Sequence, residues 1–147
     1  MDAIAHFKQT KKASWSGFSI LENLTGTTAP SLVKFAGVTK GAEVLDVACG
    51  TGVVALTAAR LGANATGIDL TPELVAHARE NSELMNLTVA WHEGDVEALP
   101  FPDARFDFVL SPFGHMFAPR PDVAVREMLR VLKPGARSLS RPGLPSF

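Results

Sequence analysis

The stretch 44-VLDVACGTGVVAL-56 decides the fold. Glu43 to Ala48 is a short, β-branched apolar run and reads as a strand buried on both faces. Val53 to Leu61 reads as a helix, with Gly62 in the stop position just past its end. Between them lie Gly50 and Gly52, which lack a Cβ and so let the backbone bend sharply and come close to a ligand. A strand, a glycine turn and a helix in that order aim backbone amides and a helix N-terminus at a polar or anionic group.

Working outward, the alternation continues. ATGIDL (Ala65 to Leu70) is predicted to be a second strand. A helix over TPELVAHARENSELM follows, with Thr71 as N-cap, Pro72 at the first helical position and Glu73 in the first turn. Leu74, Val75, Ala78 and Leu84 or Met85 give it an apolar stripe. Leu87 to Gly94 and Arg105 to Pro112 are predicted as the third and fourth strands. The run after Pro121, DVAVREMLRVL, reads as a helix ending before a turn at Lys133 to Gly135, and Ala136 to Ser140 as a short fifth strand. Strands separated by helices imply parallel crossovers, hence a three-layer α/β/α Rossmann-like fold with a mostly parallel sheet. The expected organisation is a helical cover segment over residues 1–42, a core over 43–140 and an irregular tail over 141–147. The cover segment is apolar without strand alternation, which predicts one or two helices that either close a cleft or pad one face of the sheet.

Composition narrows the function. The chain has 147 residues, 46% hydrophobic and 20% charged, which fits one domain with a real core. A net charge of −1 argues against binding a nucleic-acid backbone. The local cluster Lys8, Lys11 and Lys12 is expected to be a solvated helix face. No apolar run approaches the ~18 residues of a membrane span, and no signal-peptide pattern opens the chain. One cysteine makes no internal disulfide, which fits a reducing cytoplasm. Neither cysteines nor histidines stand at zinc-finger spacing, so no metal is expected.

Gly50 to Ala55 fits G-x-G-x-x-A, the dinucleotide pattern. Asp46, four residues before Gly50, is an acid which that pattern does not require. Asp69, 17 residues past Gly52, stands at the second strand end, where an acid accepts the ribose hydroxyls of any adenosine cofactor. From the residues alone, a dinucleotide and another adenosine-bearing cofactor both stay open.

Four motifs in order, VLDVACGTG, GIDLTPELVAHAR, GDVEALPFPDARFDFVLS and EMLRVLKPG, resemble the class I S-adenosylmethionine (SAM) dependent methyltransferases. The resemblance spans Glu43 to Gly135 and is closest to the small-molecule (type 11) branch that contains the ubiquinone and menaquinone biosynthesis enzymes. It implies that Ala48, Cys49, Gly50, Thr51 and Gly52 wrap the methionine part of SAM, with Asp46 near its amino group. Ala48 stands where the family often has glycine. By the same resemblance Asp69 takes the ribose hydroxyls and Leu70 lies on the adenine face. Asp95 accepts the adenine amino group, the Val96 amide reaches a ring nitrogen, and Ser111 sits near the methionine end. Plainer roles compete: Asp46 as a cap, Leu70 as packing, Asp95 as a loop acid.

His115, on the loop after the fourth strand, is the candidate general base or substrate contact, since its unperturbed pKa lies near 6.5; the competing role is that of a loop histidine. His92 reads as a packing or surface residue, and Cys49 as a small buried residue without a base. Phe113, Met116 and Phe117 form either an apolar acceptor wall or ordinary packing; Trp15 and Phe18 either close the pocket or pack the core. The activity this implies is in-line transfer of a methyl group from SAM to a small-molecule acceptor. The alternatives are a SAM-binding module without turnover, acting as a partner or regulator, and a dinucleotide oxidoreductase. The family usually adds an antiparallel sixth and seventh strand; here both are expected to be missing, leaving an open apolar edge that a second copy of the chain or a separate protein covers, unless the chain is a shortened relative that keeps SAM binding without transfer.

Overall fold

The computed structural model describes residues 2–17 and 26–139. Expectations for Phe18, Ser140 and the tail 141–147 therefore lie outside the described residues. Among the described residues, two helices, α1 (Ala3–Trp15) and α2 (Thr28–Ala36), precede the sheet. Then follow β1 (Glu43–Val47), α3 (Val53–Arg60), β2 (Asn64–Asp69), α4 (Pro72–Leu84), β3 (Ala90–Glu93) and β4 (Phe106–Leu110). A short 3₁₀ turn (Gly114–Phe117), α5 (Pro121–Val131) and β5 (Leu132–Leu139) complete the described chain.

The five strands run parallel in the order β3-β2-β1-β4-β5. Strand order reverses between β1 and β4, and in such sheets the crevice at that reversal, beyond the carboxyl ends, is where ligands bind. Side-chain alternation along β1 sorts the two faces. Val44 packs with α2 and α3 through Leu32, Val33, Ala36, Val54, Ala55 and Ala58. Leu45 and Val47 pack on the other face with Phe106, Val109, Met128 and Val131. Asp46 shares its face with Val44 and so points toward α3. The cover segment divides: α2 buries Ala29, Leu32, Val33 and Ala36 against the sheet, whereas α1 buries no residue.

Two elements differ from expectation. The third strand pairs only over Ala90–Glu93, because it lies at the sheet's edge against the Thr66–Asp69 end of β2, and Asn86 turns the chain just ahead of it at φ 53°. The turn predicted at Lys133 to Gly135 does not separate α5 from the last strand but lies inside β5. Between the pairs Phe106↔Leu132 and Phe108↔Arg137, β4 advances two residues while β5 advances five. Pro134 has no N–H to give a ladder and Gly135 takes φ 78°, so the extra residues form a bulge on an outer strand, where it is tolerated.

Two glycines near the cleft serve packing. A Cβ on Gly67, in β2, or on Gly52, ahead of α3, would strike the Trp91 ring. That ring is held in place by its Nε1–H, which donates to Ser82 Oγ on α4 at 3.1 Å. Gly67→Ala should therefore lower unfolding stability by about 1–3 kcal/mol, measured by urea denaturation. Combined with Trp91→Val it should cost less than the sum of the two single changes.

Candidate functional site

One cleft opens at the carboxyl ends of β1, β2 and β4. Asp46, Ala48, Cys49, Gly50 and Thr51 line it from the β1–α3 turn, Asp69 and Leu70 from the end of β2, and Asp95 and Val96 from beyond β3. Lys8 and Trp15 of α1 reach it from one side, and Pro112, Phe113, Gly114, Phe117, Ala118 and Pro119 from the other. Trp15 and Phe117 face each other with ring centroids 6.4 Å apart.

The turn is tightly specified. Gly50 and Gly52 take φ 56° and 90°, and Ala48 adopts φ 53°, a left-handed conformation that L-residues other than glycine seldom hold. Asp69 fixes the turn from the neighbouring strand: Oδ2 accepts the Gly50 N–H and Oδ1 the Thr71 N–H, both at 2.9 Å. Asn81 of α4 donates from Nδ2 to the Thr51 carbonyl at 3.1 Å. Asp46 is 1% exposed, and its Oδ2 accepts the Ala55 N–H in the first turn of α3 at 3.0 Å. Here the capping role and a place in the cleft belong to the same carboxylate.

Electrostatics set these acids apart. Burial pushes the Asp46 carboxyl up to about 8, against the Ala55 N–H, which lowers it, and with help from the nearby Asp69 charge. Asp69 is raised by burial, which outweighs its bonds from the Thr71 and Gly50 amides. Burial, then the two carboxylates, drives the Cys49 thiol well above its ordinary range, so it carries no nucleophilic thiolate.

A methyltransferase-domain family profile matches residues 44–135. The chain belongs to the class I SAM-dependent methyltransferase family. A demethylmenaquinone methyltransferase of Tropheryma whipplei is 43% identical over 105 residues, covering 71% of this chain and 43% of that protein. An uncharacterized protein of Mycobacterium tuberculosis is 43% identical over 119 residues, 81% of this chain and 43% of the other. Among solved structures, the [4+2]-cyclase SpnF superposes with TM-score 0.73 at 34% identity, over 77% of this chain and 43% of that one. The YcgJ protein from Bacillus subtilis superposes with TM-score 0.72 at 30% identity, over 76% and 48%. This methyltransferase-family chain spans less than half the length of each of these relatives.

The donor set suits the family's cofactor. Asp46 is a buried carboxylate facing the cleft with no cation paired to it among the described residues, which is the complement of an ammonium group. Asp69 has one backbone donor on each oxygen, leaving lone pairs for hydroxyls. Leu70 and Val96 give apolar surface beside them.

Four residues singled out in the sequence, Gly52, Ser111, His115 and Met116, do not line the cleft. Gly52 caps α3 and its Cα faces Trp91. Ser111 is fully buried at the end of β4, where its Oγ accepts the His115 backbone N–H and contacts His115 Nδ1, each at 3.2 Å. The 3₁₀ turn carries Phe117 to the cleft and holds His115 against Ser111 instead. Met116 is exposed and does not line it either. His92 is exposed and meets Phe101 edge-on at 5.3 Å.

The sequence missed a charge cluster beside Asp95. Lys8 is not on a solvated face: it is 16% exposed and pairs with Asp95 and Glu97, and Glu97 in turn binds Arg120. Glu97 lies within GDVEALPFPDARFDFVLS, yet its partners are remote in the chain and no local spacing signals them.

The Asp46 value gives a pH dependence with a definite sign. The folded-state pKa lies above the ~3.9 of an unfolded chain. Its stabilising contribution is thus full below that value and lost as pH rises through about 8. Asp46→Asn keeps a carbonyl for the Ala55 amide. Its melting temperature should fall less than that of the wild type from about pH 5 to about pH 9, read by calorimetry without ligand.

Proposed function

We propose that this protein binds SAM in the β1–β4 cleft and moves its methyl group to a small, apolar acceptor. One observation carries the reading: Asp46, the Ala48–Thr51 turn, Asp69, Leu70, Asp95 and Val96, from three separate stretches of chain, line a single cleft at the strand-order reversal. When bound, the cofactor supplies a methyl group made electrophilic by its sulfonium. Asp46 holds the ammonium end, Asp69 the ribose hydroxyls, and Leu70, Asp95 and Val96 the adenine. Trp15, Phe113 and Phe117 form the wall against which an apolar acceptor is aligned and from which water is kept out. In-line displacement depends chiefly on that alignment, which is consistent with His115 standing away from the cleft.

A second reading, SAM binding without methyl transfer, is favoured by the likeness to SpnF, whose structure is described as that of a [4+2]-cyclase. Titration calorimetry separates these proposals from the oxidoreductase alternative. SAM and its demethylated product S-adenosylhomocysteine should bind at micromolar Kd, NADH more weakly, and Asp69→Ala should weaken binding at least ~10-fold. Asp69→Asn checks that the loss is not merely collapse of the turn. Formation of S-adenosylhomocysteine with a panel of apolar phenols, thiols and quinols supports transfer; binding with no product from any of them supports the second reading. No binding of SAM by the folded protein contradicts both.

A further inference from the structure

We infer that Lys8 is a positioning residue for the adenine end of the cofactor site, acting through the Asp95 carboxylate. This rests on the SAM reading above. Lys8 lies on α1, far from Asp95 in sequence, yet its Nζ donates to Asp95 Oδ2 at 2.5 Å and to Glu97 Oε2 at 2.8 Å. Asp95 Oδ1 accepts the Glu97 N–H at 2.9 Å. Both oxygens of Asp95 are thereby fixed in direction, while a carboxylate's remaining lone pairs stay open to an amino group. Without Lys8, a carboxylate whose side chain is 29% exposed has one anchor left and turns toward water.

Lys8 is itself held in place. The Glu97 side chain is 1% exposed, and its Oε2 also accepts from Arg120 Nε at 3.0 Å and Nη2 at 2.8 Å. Its Oε1 accepts the Arg120 backbone N–H at 2.7 Å. Arg120 caps α5 directly after the apolar wall of the cleft. Orientation thus passes from Arg120 through Glu97 and Lys8 to Asp95, tying the two sides of the cleft together. These charge-assisted bonds converge on Glu97, whose side chain is 1% exposed, between a largely buried Lys8 and a half-exposed Arg120. Burial alone would lower the Lys8 ammonium, but its bonds to Asp95 and Glu97 hold it raised, so it stays charged throughout the physiological range.

α1 buries no residue of its own, so losing Lys8 also loosens a helix that covers the cleft. The two effects part when the ligand is varied. Calorimetry is run with S-adenosylhomocysteine and with its analogue whose purine lacks the 6-amino group, on the wild type, Lys8→Met, Lys8→Arg and Lys12→Met. Lys12→Met removes a separate ion pair of α1, to Glu93, without touching Asp95.

The expected result is ~10-fold weaker binding of S-adenosylhomocysteine by Lys8→Met, under about 2-fold change for the analogue, and most of the affinity restored in Lys8→Arg. Lys12→Met should stay within about 2-fold of wild type for both ligands. Equal losses for both ligands in Lys8→Met, or no loss for either, would overturn the inference while leaving SAM binding intact. A wild type that binds neither ligand overturns the cofactor reading, and this inference with it.

Discussion

The constraint on which the site depends is a carboxylate taken out of water without a counter-charge. Asp46 lies on the α3-facing side of the central strand, 1% exposed, with the Ala55 amide as its hydrogen-bond donor. Burying an ionised carboxyl in that way is costly, so the ligand-free fold keeps the proton on it. A cationic ligand reverses the balance by supplying the missing charge. In the proposed function, the ammonium end of the cofactor is the cation that meets this turn. On that proposal, the group that is a burden on the empty fold becomes the source of recognition when the site is filled.

The surrounding structure keeps that carboxylate where it is. Asp69 reaches across from β2 to bind the Gly50 amide, Asn81 reaches from α4 to the Thr51 carbonyl, and Trp91 fills the space left by Gly52 and Gly67. The turn is therefore braced from two strands and one helix. On the far side of the cleft, Gly114 lies so close to Ala48 that a Cβ there would meet the Ala48 carbonyl at 2.8 Å. The apolar wall thereby packs directly on the β1–α3 turn, and the charged chain from Arg120 to Asp95 joins the same two sides around the rim.

Much of this was legible in the sequence because it is local. Strand, glycine turn and helix follow one another within VLDVACGTGVVAL, and the acids at the ends of β1 and β2 sit in fixed register with them. What was illegible depends on contacts between distant residues. Nothing near Lys8 announces a carboxylate 87 positions away, and the purpose of Gly52 is visible only once β3 brings Trp91 beside it. His115 lies on the loop where an acceptor-side residue was expected, but a single 3₁₀ turn fixes which side chains enter the cleft, and that periodicity is too short to read in advance. The bulge in β5 was read as a turn because Pro and Gly mark both, and only pairing with β4 distinguishes them.

The most direct test of the account is the number of protons exchanged when SAM binds near neutral pH, obtained by calorimetry in buffers of different ionisation enthalpy. If the Asp46 carboxyl gives up its proton to meet the incoming cation, wild-type protein releases most of one proton per SAM bound, and Asp46→Asn releases none. Equal proton exchange in the two proteins, with SAM bound by both, would contradict it.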